Sequence, residues 1–132
     1  MKAIKITTNG EITVIDFPDS TDTGVILEAC QKQVDGWIEI VRPLLLYSLT
    51  MMPPTACMIV DEEGLCKHKP INRVATQLYG AHTIVGDVLI LKEVPGEEGV
   101  ELAGFDETLA ETICFIMNDR FNREKNGGKN NE

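Results

Sequence analysis

A chain of 132 residues, 43% hydrophobic and 25% charged, fits one globular domain long enough to bury a core without metal or disulfide staples. Its net charge of −9 argues against general nucleic-acid binding, which needs a basic surface to neutralise phosphate. No apolar run approaches the ~20 residues that span a bilayer, and the alternating start Met1-Lys2-Ala3-Ile4 lacks the apolar block of a signal peptide, so a cytoplasmic protein with no membrane contact is expected.

The first element reads as a β-hairpin. Lys2 to Thr8 alternates, Asn9-Gly10 supplies the residues of a two-residue turn, and Glu11 to Phe17 returns. With Thr8 and Glu11 flanking that turn, Ile4 is expected to face Ile15 and Ile6 to face Thr13. Phe17 then lies on their side, and Lys5, Thr7, Ile12 and Val14 on the other. Pro18 to Thr23 is a polar turn in which Asp22 or Thr23 can cap a helix running to Asp35. Val25, Ile26, Ala29, Cys30 and Val34 form its apolar stripe, and Gly36 is placed to end it in a left-handed conformation. Trp37 to Arg42 reads as a strand, with Ile38 and Ile40 on one face.

Pro43 to Pro54 fits neither helical nor strand period. It reads either as a short helix begun by Pro43 or as an apolar patch, and Leu44 to Met52 is the expected route to a homo-oligomer. Thr55 to Val60 is a strand, turned by Asp61-Glu62-Glu63-Gly64 with the glycine expected at positive φ. Lys67, His68 and Lys69 then precede Pro70, and Asn72 can cap a helix that buries Val74, Ala75, Leu78 and Tyr79 and closes at Gly80. Thr83 to Glu93 reads as a central strand buried on both faces and bent at Gly86-Asp87. Pro95 to Gly104 reads as a loop. A last helix from Asp106 to Phe121 turns Leu109, Ile113, Ile116 and Met117 inward, and 122–132 is expected to be a disordered tail. The expected fold is therefore α+β, a single domain over 1–121. It has a mainly antiparallel sheet opened by the hairpin and about three helices packed on one face.

The four cysteines, Cys30, Cys57, Cys66 and Cys114, follow no framework spacing, and Cys66 with His68 supplies too few ligands for zinc; neither a metal nor a cofactor is expected. From Glu93 to Glu111 the chain carries seven acidic residues and no Lys or Arg, a solvated face or one aimed at a basic partner.

Several segments in order resemble the domain-of-unknown-function 3846 family: Gln31 to Asp35 with Gly36-Trp37-Ile38-Glu39-Ile40-Val41, Met58 to Gly64, Asn72 with Ala75 and Leu78, and Ile84-Val85-Gly86-Asp87-Val88. The resemblance covers roughly residues 1–95. It implies an accessory protein of a phage, plasmid or other mobile element, and it transfers no catalytic residue.

No nucleophile–base pair, P-loop or dinucleotide fingerprint occurs, so binding is favoured over catalysis. The first reading is a counter-defence protein that sequesters a small phosphorylated or nucleotide-like ligand. Lys67, Lys69, Arg73 and the helix start at Asn72 would hold phosphate, Trp37 or Tyr79 would stack on a base, and Arg42 and Asp87 complete the expected site. The second is an acidic antagonist of a host defence protein, mimicking nucleic-acid charge through Glu97, Glu98 and Glu101. The third is a small hydrolase-type enzyme using Asp61, Glu62, His68 or Asp87 as acid or base.

Overall fold

The computed structural model describes residues 1–43, 55–97 and 99–123. β1 (Lys2–Ile6) and β2 (Ile12–Asp16) form the hairpin, followed by α1 (Thr23–Val34), β3 (Ile38–Val41) and β4 (Ala56–Asp61). Then come α2 (Arg73–Tyr79), β5 (Val88–Gly96), β6 (Gly99–Ala103) and α3 (Glu107–Phe121). The strands make one sheet, ordered β2-β1-β5-β4-β3, in which every pairing is antiparallel. β6 pairs the second half of β5 and meets β1 end to end through the Lys2–Phe105 bridge. The α+β class and the opening hairpin are as expected from the sequence.

The hairpin register differs by one residue. Ile4 pairs with Val14 and Ile6 with Ile12, because the turn is a three-residue loop. Thr7 N–H bonds the Glu11 carbonyl, Gly10 N–H bonds the Thr7 carbonyl, and Gly10 takes φ +85°. That is a turn closed by a glycine bulge. The shift puts Ile4, Ile6, Ile12 and Val14 on one face, and Ala3, Ile15 and Phe17 on the other.

Both faces are covered, which corrects the expected single helical layer. One core joins Ile4, Ile6, Met58, Val88 and Ile90 to Val74 and Leu78 of α2 and to Ile113 and Met117 of α3. The other joins Ala3, Phe17, Ile59, Leu89 and Leu91 to Ile26, Cys30 and Val34 of α1. A sheet apolar on both faces needs helices on both. Strand β5, whose Val88 to Leu91 run is fully buried, lies between the two cores.

Local signals came out as follows. Asp22 caps α1, Asn72 caps α2, and Asp106 caps α3. The left-handed residue ending α1 is Asp35 (φ 58°) rather than Gly36, whose missing side chain leaves room for Lys67 and Asp61. Gly64 takes no positive φ; a Cβ there would meet Val85 at 2.8 Å, and the left-handed residue of that turn is His68. Residues read as the Pro95–Gly104 loop form the β5–β6 hairpin instead. Asn122, read as the start of a tail, is buried and donates to Gly10 O (3.1 Å) and Asn118 Oδ1 (2.8 Å). The Leu44–Met52 oligomer segment and 124–132 of the tail lie outside the described residues. No described helix is long and apolar enough to cross a membrane.

Candidate functional site

The eight residues expected to form one site fall in separate places. Lys67 and Lys69 converge on Asp61, the last residue of β4, whose side chain is fully buried. Lys67 Nζ lies 2.8 Å and Lys69 Nζ 2.6 Å from Asp61 Oδ2. The same ammonium groups also cap the C-terminal end of α1. Lys69 donates to Val34 O (2.7 Å) and Asp35 O (2.9 Å), and Lys67 to Asp35 O (3.0 Å). Positive charge is favourable there because the last carbonyls of a helix lack partners. Burial alone would raise the Asp61 carboxyl. The ammonium hydrogen bonds from Lys67 and Lys69 and the N–H of Glu63 outweigh it and hold the carboxyl below the usual range. The bond to Asp61 in turn raises the Lys67 ammonium. These cations clamp α1 to the sheet.

Asn72 is likewise a structural residue. It has no exposed surface; its Oδ1 accepts the Ala75 N–H (3.1 Å), and its Nδ2 donates to Ile6 O and Gly86 O, both at 3.0 Å. Asp87 accepts the Thr8 N–H at 3.0 Å and lies 3.8 Å from Lys5. Arg42 pairs with Glu93 across the α1 face. Trp37 is exposed beside Gln31, Glu63 and Lys67, at the far end of α1 from Arg42.

Arg73 and Tyr79 belong to a different neighbourhood. An open groove of about 800 Å³ runs between the end of α2 and the end of α3, lined by Thr76, Gln77, His82, Thr83, Arg120 and Phe121 among others. Arg73 precedes Thr76 and Gln77 by three and four residues, so it shares their face of α2. Its Nη2 and the Asn122 Oδ1 both come within 4 Å of the point where a side chain on Gly10 would begin, which sets the Arg73 guanidinium beside the end of α3. Arg120 lies in the last turn of α3 and Arg123 one residue past its cap. Every arginine except Arg42 is thus gathered at this end of the molecule. Among the described residues none of the three has a carboxylate within ion-pair distance. Tyr79 supports the groove wall: its ring meets that of His82 edge-on, centroids 4.7 Å apart. The Arg120-x-x-Arg123 spacing was readable in the sequence, but nothing there placed it beside α2.

Other candidate chemistry does not assemble. Asp61 is enclosed by its two lysines, and Asp87 is held separately by Lys5 and Thr8. No three His, Cys, Asp or Glu side chains cluster as metal ligands among the described residues. Burial pushes the Cys57 thiol up to about 12 and the Cys30 thiol to about 11, whereas Cys66 is exposed.

A model of the family described as domain of unknown function DUF3846 matches residues 1–113. No curated protein and no solved structure matches the chain significantly.

Proposed function

The chain belongs to that domain-of-unknown-function family, and from this premise we propose a non-catalytic accessory protein of a phage or mobile element that sequesters a small phosphorylated or nucleotide-like ligand. The groove between α2 and α3 holds the ligand. One observation carries the reading: in a protein of net charge −9, Arg120 lines a groove with His82 and Phe121, and Arg73 shares the face of α2 that carries the groove's Thr76 and Gln77. Among the described residues neither arginine has a carboxylate partner. Guanidinium groups without a carboxylate partner keep their donors for phosphate, which they bind in a fork. Ring faces beside them suit a base. The volume falls in the ~300–1,000 Å³ range of small-ligand sites. Lys67 and Lys69 do not take part, because their protons are already shared between Asp61 and the carbonyls of α1.

The acidic-antagonist reading gains less support. Glu93 is turned onto Arg42, and Glu101, facing Val94 in the β5–β6 register, alternates to the sheet face opposite Leu102. The acidic run is split between two surfaces.

Calorimetric titration with adenosine diphosphate and with inorganic pyrophosphate tests the proposal. The wild-type protein binds both, more weakly as salt rises. Arg73→Glu with Arg120→Glu weakens both at least tenfold, about 1.4 kcal/mol, and leaves the thermal midpoint nearly unchanged. Unchanged affinity in the double variant refutes the groove, and absence of wild-type binding refutes the anionic ligand.

A further inference from the structure

The two outer edges of the sheet are finished differently. In the hairpin, Thr7 and Glu11 are hydrogen-bonded to each other, so by alternation Ile12 and Val14 direct their backbone groups outward. Helix α3 meets that edge with side chains: Cys114 Sγ (3.3 Å) and Asn118 Nδ2 (3.0 Å) both donate to the Ile12 carbonyl. At the other edge the Glu62 N–H bonds the Trp37 carbonyl at 2.8 Å in the β3–β4 register, so Glu39 and Val41 bond inward. Ile38 and Ile40 then turn an N–H and a C=O each away from the sheet, and among the described residues nothing pairs with them. This strand, Ile38-Glu39-Ile40-Val41, has no proline, no lysine and no bulge; its short length and the charge of Glu39 are the only devices that restrict what can pair with it. Its flank on the α1 side is apolar, with Ile40 and Leu27 exposed. Its flank on the opposite side carries the exposed carboxylate of Glu39.

We propose that the outer edge of β3 is a docking site for an extended segment of a partner protein. The segment adds a strand, with apolar side chains toward α1 alternating with basic ones toward Glu39. The unpaired backbone groups require an extended chain, because only a strand matches their spacing. The charge of Glu39 selects a basic neighbour and disfavours a second copy of this chain. In the antiparallel register that pairs Ile38 with the second copy's Ile40, Glu39 faces the second copy's Glu39, and like charges opposite each other destabilise a strand pair. Glu39 shares a small cavity with His82 and Thr83 of the groove wall, but the outward backbone groups of β3 take no part in holding an anion, so the inference does not rest on ligand binding.

The probe is a blocked heptapeptide, Thr-Val-Lys-Val-Lys-Val-Thr, compared with the same peptide carrying glutamate for lysine. Amide hydrogen exchange resolved by NMR is the readout. The lysine peptide slows exchange at Ile38 and Ile40 at least tenfold and leaves the already bonded Glu39 and Val41 amides unchanged. Glu39→Lys reverses the preference between the peptides, and Ile40→Pro, which removes an outward donor without touching the ladder to β4, abolishes binding by either. No protection by either peptide, or equal protection by both, overturns the proposal. So does protection that rises with protein concentration alone, which would make a second copy the occupant.

Discussion

Two groups of cations can be compared in this protein, and the comparison separates charge used to fold from charge left for a ligand. Lys67 and Lys69 look basic in the sequence, yet their ammonium groups share one buried carboxylate and two helix carbonyls. Arg73 and Arg120 are ordinary surface residues one by one, yet among the described residues neither meets a carboxylate; Arg120 lines an open groove and Arg73 is set beside the end of α3. A buried ion cluster holds elements together because breaking it strands a desolvated charge. A solvated guanidinium contributes little to stability and remains available to an anion.

The comparison breaks most sharply at Asp61. Asp61→Asn leaves Lys69 without its counter-ion and is expected to cost about 3 kcal/mol, measured by urea unfolding; a loss below about 1 kcal/mol would mean the clamp is only a surface contact. Asn72→Ala removes a cap and leaves the carbonyls of Ile6 and Gly86 without their donor, with an expected loss of ~2–3 kcal/mol in the same assay.

The pH dependence sharpens the contrast. The folded Asp61 carboxyl is held below its ordinary value, so its stabilising contribution is present at neutral pH. That contribution begins to go as pH falls into the ordinary carboxylate range near ~3.9, and it is lost through the lowered folded value. Lys67, raised, contributes below its ordinary value and loses that contribution only as pH rises above it. Acid unfolding followed by circular dichroism should therefore shift to higher pH with lysine-to-methionine changes at 67 and 69.

Iodoacetamide separates the thiols: Cys66 is labelled in the native protein, while Cys30 and Cys57, buried and raised to about 11 and about 12, react only after unfolding. Mass spectrometry of the digested protein reads the order. At the small end, Arg73→Ala and Arg120→Ala each change stability by less than about 0.5 kcal/mol, since neither side chain has an ion-pair partner among the described residues.

Much of the fold was legible because its signals are local. Asp22, Asn72 and Asp106 each precede a helix and cap it, Gly80 closes α2 at φ 76°, and the Val88–Leu91 run is buried on both faces as its composition required. The hairpin was recognised from Asn9-Gly10, but its register was not. Both faces of β1 and β2 carry apolar residues, so a slip of one residue still leaves apolar side chains facing each core. The same ambiguity hid the second helical layer, and the Glu and Gly around 96–101 concealed a strand as short as β6.

The sequence alone determined the class, the helix starts, the family and the absence of any apolar stretch long enough to span a bilayer, because each depends on residues close together in the chain. Only the tertiary structure decided which cations are engaged. Lys69 reaches across 35 residues to Val34, and Arg73 is set beside the end of α3 by the packing of both helices on one sheet face. Whether a charge is neutralised depends on what lies within a few ångströms of it, and for these residues those neighbours are distant in sequence.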